Sequence, residues 1–217
     1  MQNCVRKLSA PVLASLFLAS WPLGAQVLSV GAMGGVPLTH AFETASSGPV
    51  SFFSDTKRYV VGPTAEFHLP FGMGIEFDAL YRRLGYESTD TAGGSPVGTR
   101  TTANSWEFPL LLKFRGSGPG VRPFLDGGAS FRRLSDLKYV RDFFTGGTTT
   151  ETNRPPELEN RFAAGFVVGG GLEFGGEKVR VAPQARYTRW GARHFRDVTG
   201  LLLSNQDQAD FLLGITF

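Results

Sequence analysis

Trp106-Glu107-Phe108-Pro109-Leu110-Leu111-Leu112-Lys113-Phe114-Arg115 is the stretch that decides the fold. Side chains alternate across a β-strand with a period of two. A strand here puts Trp106, Phe108, Leu110, Leu112 and Phe114 on one wholly apolar face and Glu107, Lys113 and Arg115 on the other. The last residues behave alike, with Phe211, Leu213, Ile215 and Phe217 alternating against Asp210, Leu212, Gly214 and Thr216. Arg180, Gln184 and Arg186 alternate in the same way with Val179, Val181, Ala185 and Tyr187. No stretch carries a convincing 3.6-residue period. The 28 glycines and 19 phenylalanines fit a β-rich chain, because glycine is costly inside helices and aromatics favour pleated surfaces.

Extending this reading outward predicts eight strands, over 27–38, 58–69, 73–88, 104–116, 121–136, 161–175, 179–193 and 208–217. Their connections alternate in length. Pro70-Phe71-Gly72, Ser117-Gly118-Pro119-Gly120 and Gly176-Glu177-Lys178 are tight turns of turn-forming residues, whereas 39–57, 89–103, 137–160 and 194–207 are long and polar. The expected fold is therefore all-β: an eight-stranded antiparallel up-and-down transmembrane β-barrel with four long extracellular loops and short periplasmic turns.

Charge placement supports the membrane form. With the apolar face toward lipid, Glu66, Glu76, Asp78, Glu107, Asp126 and Glu173 point inward, as do Arg82, Lys113, Arg115, Arg122, Arg132, Arg180 and Arg186. Opposed in this way, buried charges can pair. A soluble sandwich or a secreted barrel that binds a small apolar ligand reverses inside and outside, and alternation alone does not separate the two. Aromatics are expected in two girdles. Tyr81, Trp106, Phe131, Phe162, Tyr187 and Trp190 fall toward the long-loop end, and Phe67, Phe114, Phe174 and Phe217 toward the short-turn end, with Phe77 and Phe124 between. Pro37, Pro63, Pro109, Pro123 and Pro183 each remove a ladder donor, so bulges or strand ends are expected there.

Length and hydropathy exclude a helical membrane protein. The 217 residues have a mean hydropathy of -0.07, and no segment after the N-terminal one offers the ~20 consecutive apolar residues of a spanning helix. Met1 to Ala25 reads as a secretory signal peptide: Arg6 and Lys7, then the apolar stretch from Pro11 to Leu18, then Trp21-Pro22-Leu23-Gly24-Ala25. The alternatives are an N-terminal anchor, which Ser15, Ser20 and Pro22 interrupt, and a lipoprotein, whose acceptor cysteine would follow the apolar stretch where Cys4 precedes it. The remaining domain is 26–217. Removing Arg6 and Lys7 leaves 20 bases against 19 acids, without a basic run, so nucleic acid is not implied. Losing Cys4 leaves no thiol for disulfides or thiolate chemistry. Signal peptide, loop rhythm and cysteine usage together favour the membrane barrel.

With these features the chain resembles the small eight-stranded outer-membrane β-barrel proteins of Gram-negative bacteria, of the OmpA and OmpX type. The most specific element is the ending Asp210-Phe211-Leu212-Leu213-Gly214-Ile215-Thr216-Phe217. In that family an aromatic last residue after alternating hydrophobes is the signal that the barrel-assembly machinery reads. The resemblance implies location in the outer membrane among its lipids, as a barrel without an added peptidoglycan-binding domain, and as a monomer. The expected role is structural or adhesive, carried by the long loops toward an extracellular ligand, and not that of a general porin.

Some such barrels modify lipid, so an enzyme is the alternative. His40 and Ser47, with Ser46, Ser51, Ser54, Glu43 and Asp55, share the first long loop and offer a conceivable triad, though a polar surface loop rich in small residues explains them better. Glu76 and Asp78 could act as an acid–base pair or balance Arg82. Gly169-Gly170-Gly171 lies within a strand, without the helix of a phosphate loop, and suits close backbone packing. His68 and His194 lie apart from each other and from His40, without metal-ligand spacing. No catalytic, cofactor or metal site is therefore expected. Tyr139, Phe143 and Phe144, in a third loop with Gly146-Gly147 and Pro155-Pro156, are either recognition anchors or girdle residues.

Overall fold

A computed structural model describes residues 27–92, 96–118, 120–143, 150–176 and 178–217. The expected signal peptide, Phe144, Gly146-Gly147 and the side chain of Phe143 lie outside the described residues. Eight antiparallel strands close on themselves: β1 (Leu28–Pro37), β2 (Val60–His68), β3 (Met73–Asp78 continuing as Leu80–Asp90), β4 (Val97–Arg115), β5 (Val121–Phe143), β6 (Phe162–Gly175), β7 (Arg180–Trp190) and β8 (Asp207–Thr216). Each pairs with the next in sequence, and β8 closes the sheet on β1 from Gly31↔Thr216 to Pro37↔Asp210.

The wall is apolar outside and charged inside. Val30, Phe67, Ile75, Phe77, Leu110, Leu112, Phe114, Leu125, Phe131, Phe166, Phe211 and Leu213 are exposed, while Glu66, Glu76, Asp78, Arg82, Glu107, Lys113, Arg132, Glu173 and Arg186 are buried. This is the reverse of a soluble ligand-binding barrel. Glycine lets the strands approach closely at Gly171, where a Cβ would lie 2.2 Å from the Pro183 carbonyl oxygen, and at Gly169, where it would lie 2.9 Å from Cγ of Arg186. The triple-glycine run is thus a packing device.

Three expectations are corrected. The segments 89–103 and 137–160 are not simply loops, because β3, β4 and β5 run on past the apolar band as a tall ribbon from Val97↔Phe143 downward. On β5 a bulge interrupts the alternation: the register of β4 on β5 shifts between Thr102 and Asn104, and Asp136 takes a left-handed φ of 47°. The inward set on β5 then changes from Arg132 and Leu134 to Leu137, so alternation breaks while the strand continues. Second, Pro109 and Pro183 stay in register, opposite Ser130 and Leu213, without the expected bulges. Pro37 does end β1, and at Pro63 the carbonyl accepts from Ala79 N where β3 is interrupted. Third, Trp190 is not a girdle residue. It shares parity with inward Arg186 and is 1% exposed.

The first connection is likewise structured. Phe42–Thr44 pairs with Leu202–Ser204 from the last connection, and Val50–Ser54 adds to the free edge of β3 opposite Tyr86–Asp90. Together they bury Phe42, Phe52, Leu84, Tyr86, Leu134, Leu137, Phe195 and Leu202 in one cluster at the long-connection end.

Candidate functional site

Below that cluster the lumen is packed with opposed charges. Nearest the long connections, Arg82 holds Glu107 at 2.8 Å and Asp210 at 2.9 Å, and Arg132 holds Glu107 at 2.8 Å. Gln208 donates to Glu107 at 3.1 Å. Trp190 lies 4.0 Å from the Arg132 guanidinium carbon and donates Nε1–H to Gln208 at 3.1 Å. In the middle, Arg186 bridges Glu76 and Asp78, with Asp78 at 2.6 Å, and Lys113 also binds Glu76. At the short-turn end, Arg115 joins Glu66 to Glu173, which also meets Arg122 at 3.3 Å.

Most of the expected inward charges are therefore brought into contact. Arg122 makes its contact from the rim, with 37% of its side chain exposed. Asp126 is buried but makes no ion pair among the described residues. Asp210 is a further lumen acid, and Gln208 and Trp190 join the same network. Their shared parity along β8 and β7 was the available sequence signal. Glu76 and Asp78 do share a face, but both are committed to Arg186, which leaves no free acid–base pair.

The catalytic alternatives find little geometric support. His40 and Ser47 are both exposed. Ser46–Ser47 forms a hairpin on Val50–Ser51, and no hydrogen bond joins Ser47 to His40 among the described residues. A nucleophile–base–acid order does occur at the short-turn end, where Ser29 Oγ lies 3.0 Å from His68 Nε2 and His68 Nδ1 lies 3.7 Å from Glu66. Ser29, however, has no exposed surface and its Oγ also accepts from Arg180, while Glu66 is held by Arg115. Those commitments make it a structural arrangement.

The aromatic cluster seals the opposite mouth. Phe42, Tyr86 and Phe195 pack edge to face, with ring centroids 5.4–5.7 Å apart. Tyr86 donates to Glu157 at 2.9 Å, tying in the third connection. His194 lies buried between cap and lumen, its Nδ1 2.7 Å from the Asn160 carbonyl oxygen. Burial, and secondarily Arg132, lower its pKa to about 4.

Among solved structures, the chain is similar to Neisserial surface protein A (13% identity, TM-score 0.41, covering 89% of this chain and 97% of that one). It is also similar to OprG from Pseudomonas aeruginosa (11%, 0.49, 87% and 92%) and to Ail of Yersinia pestis (10%, 0.40, 87% and 94%). A search of curated proteins finds no match. The family model described as outer membrane protein beta-barrel domain matches residues 24–191, a span holding the first seven strands, so the chain belongs to the outer-membrane protein β-barrel domain family.

Proposed function

We propose that this outer-membrane barrel is neither a general porin nor an enzyme, and that it acts through the surface built by its four connections at the capped end. The observation that carries this reading is the double closure of the lumen: the Arg82–Glu107–Asp210 layer lies directly beneath the Phe42–Tyr86–Phe195 seal. Eight strands enclose a space just wide enough for side chains, and here paired charges occupy it. What remains for interaction is the outer surface, including the β3–β5 ribbon and the hairpin at Ser46–Ser47.

Planar-bilayer recording tests the first half of this reading. The expected result is no steady conductance, and large stable channels refute it. Lipid A mass spectra from cells with and without the protein test the second half, with unchanged spectra expected and a changed acylation or headgroup pattern refuting it. Export through cleavage after Ala25, membrane assembly as a monomer and extracellular placement of the capped end belong to the same proposal. Protease accessibility on intact cells reports that orientation, because cleavage confined to the short turns reverses it.

A further inference from the structure

We infer that the first connection holds a binding bay for a short extended peptide, whose backbone completes the sheet between the connection's two limbs and whose charged termini meet Glu43 and Arg58. The inference rests on the proposed role of the capped end and names a ligand for one part of that surface. The two limbs are joined at two levels. Below, Gly35 faces Val60 in the last pair of β1 with β2. Above, the Phe52 N–H donates to the Ala45 carbonyl at 3.2 Å, and the hairpin of Ser46–Ser47 on Val50–Ser51 continues from there. Between these levels the limbs part, one to pair with Leu202–Ser204 and the other to follow β3. The opening is a bay of about 880 Å³, in the size range of small-molecule sites. Arg82 and Phe42, both 4% exposed, close it behind.

Both limbs turn a strand edge into this bay. In an antiparallel pair only alternate residues spend their backbone groups on the neighbouring strand. On the first limb, the Ala41 carbonyl accepts from Asn205 N–H and Ala45 N–H donates to the Leu201 carbonyl, both at 2.9 Å. Ala41, Glu43 and Ala45 therefore face 201–205, and the backbone groups of Phe42 and Thr44 face the bay. On the second limb, Asp55 N–H donates to the Gly85 carbonyl at 2.9 Å and Lys57 N–H to the Arg83 carbonyl at 3.1 Å. The backbone groups of Ser54, Thr56 and Arg58 thus face the bay from the other side. No hydrogen bond joins the two edges here among the described residues, so an extended chain between them finds partners on both sides. Ser54 to Arg58 covers four residue steps, about 13 Å of strand, which sets the occupant at three or four residues.

The free charges fix its chemistry. Glu43 and Arg58 are exposed and line the bay, and neither has an ion pair among the described residues. The register of Lys57 on Arg83 puts Arg58 opposite Arg82, whose charge is already met by Glu107 and Asp210. A carboxylate arriving there meets the uncommitted Arg58 guanidinium. Because the bay is closed above and below, a strand of a larger protein has no path through it, and the occupant must end inside. A chain that ends inside brings two charged termini, its carboxylate to Arg58 and its ammonium to Glu43. That polarity runs the peptide antiparallel to Phe42–Thr44, as an added strand.

The probe is trialanine, titrated by calorimetry into protein purified from outer membranes in detergent. Binding with a Kd below about 1 mM is expected. Acetylating the amino end of the probe, or amidating its carboxyl end, should each weaken binding at least about tenfold, the effect of one lost charge-assisted hydrogen bond. Glu43→Gln should bind the acetylated and free peptides alike, and Arg58→Gln the amidated and free peptides alike. Arg133→Gln, on the far side of the barrel, should leave all three affinities unchanged. The heat-modifiable gel band reports that each variant is folded, and the capped probes test the same two contacts on the unsubstituted protein. Hydrogen exchange reads the added strand: saturating trialanine should slow the amides of Phe42, Thr44, Thr56 and Arg58, and leave Asp55 and Lys57, already bonded to β3, as they were. No binding at about 10 mM peptide, a preference for free termini that survives both substitutions, or unchanged exchange at those four amides overturns the inference. A doubly capped peptide that binds as tightly as the free one overturns the short zwitterion in favour of a loop from a larger partner. None of these outcomes alters conductance or lipid A spectra, so the proposed role of the capped end stands or falls on its own measurements.

Discussion

Replacing Arg186 with methionine tests the lumen network at its most committed point. Arg186 is fully enclosed, its side chain 2% exposed, and it bridges Glu76 and Asp78. Glu76 keeps Lys113 after the substitution, but Asp78 loses its only ion partner among the described residues and already has Oδ1 without a hydrogen bond. A hydrogen bond to a charged group contributes about 1.5–3 kcal/mol, and two are lost. Breaking a buried ion pair from one side costs about 3–5 kcal/mol, so the two routes converge near 4 kcal/mol. The origin of the cost is the stranded Asp78 carboxylate rather than the missing arginine. Adding Asp78→Asn to Arg186→Met should therefore restore part of the loss, with a coupling of about 1.5 kcal/mol or more. Urea unfolding in lipid vesicles, read by the gel shift between folded and unfolded barrel, measures all four corners of the cycle. Additive losses, or an Arg186→Met barrel within ~0.5 kcal/mol of the unsubstituted one, would show that the lumen charges are solvated and not mutually supporting. Arg122→Ala, by contrast, should cost under about 1 kcal/mol, because its side chain is more than a third exposed.

Three further outcomes follow from other parts of the barrel. Gly171→Ala should cost about 1–3 kcal/mol by the same assay, because the added Cβ meets backbone at 2.2 Å, whereas Gly176→Ala, with nothing within 4 Å, should be neutral; equal effects would refute the close approach. For His194 the folded pKa is about 4 against a reference of 6.5. The unfolded chain therefore binds the extra proton between those values, and this part of the stability is complete above about pH 6.5 and lost as pH falls toward 4. Relative to His194→Gln, the unsubstituted barrel should lose about 2–3 kcal/mol more between pH 7.5 and 4.5, and parallel pH profiles would remove His194 as the cause. Deleting Phe217, whose N–H donates to the Val30 carbonyl at 2.9 Å where β8 closes on β1, should block outer-membrane insertion while leaving export intact; normal amounts of folded protein in the membrane would show that the terminal signal is misread.

Local pattern reached the wall of this barrel and stopped at its mouth. A two-residue period is a property of neighbouring residues, so it assigned Phe108, Leu110 and Leu112 to lipid and Glu107 and Lys113 to the lumen, and the same parity contained Asp210. Applied strictly, it also put Trp190 inside, because Trp190 lies four residues from Arg186 on one strand. The girdle assignment failed by weighing residue type above parity. At Asp136 the period itself fails. One extra residue on β5 reverses which side chains point inward, and the pattern reads as the end of a strand that in fact continues to Phe143. The cap was beyond any local signal. Phe42 sits among serine- and glycine-rich neighbours that read as a polar loop, and its partner strand, Leu202–Ser204, lies about 160 residues away. Only closure of β1 on β8 brings the two connections together. Closing the sheet therefore does two things at once, since it removes the unpaired edges and creates the contact that seals the lumen. Both the candidate loop triad and the apolar seal lay in segments that composition called polar, and pairing across the closed sheet exposed His40 and Ser47 while it buried Phe42.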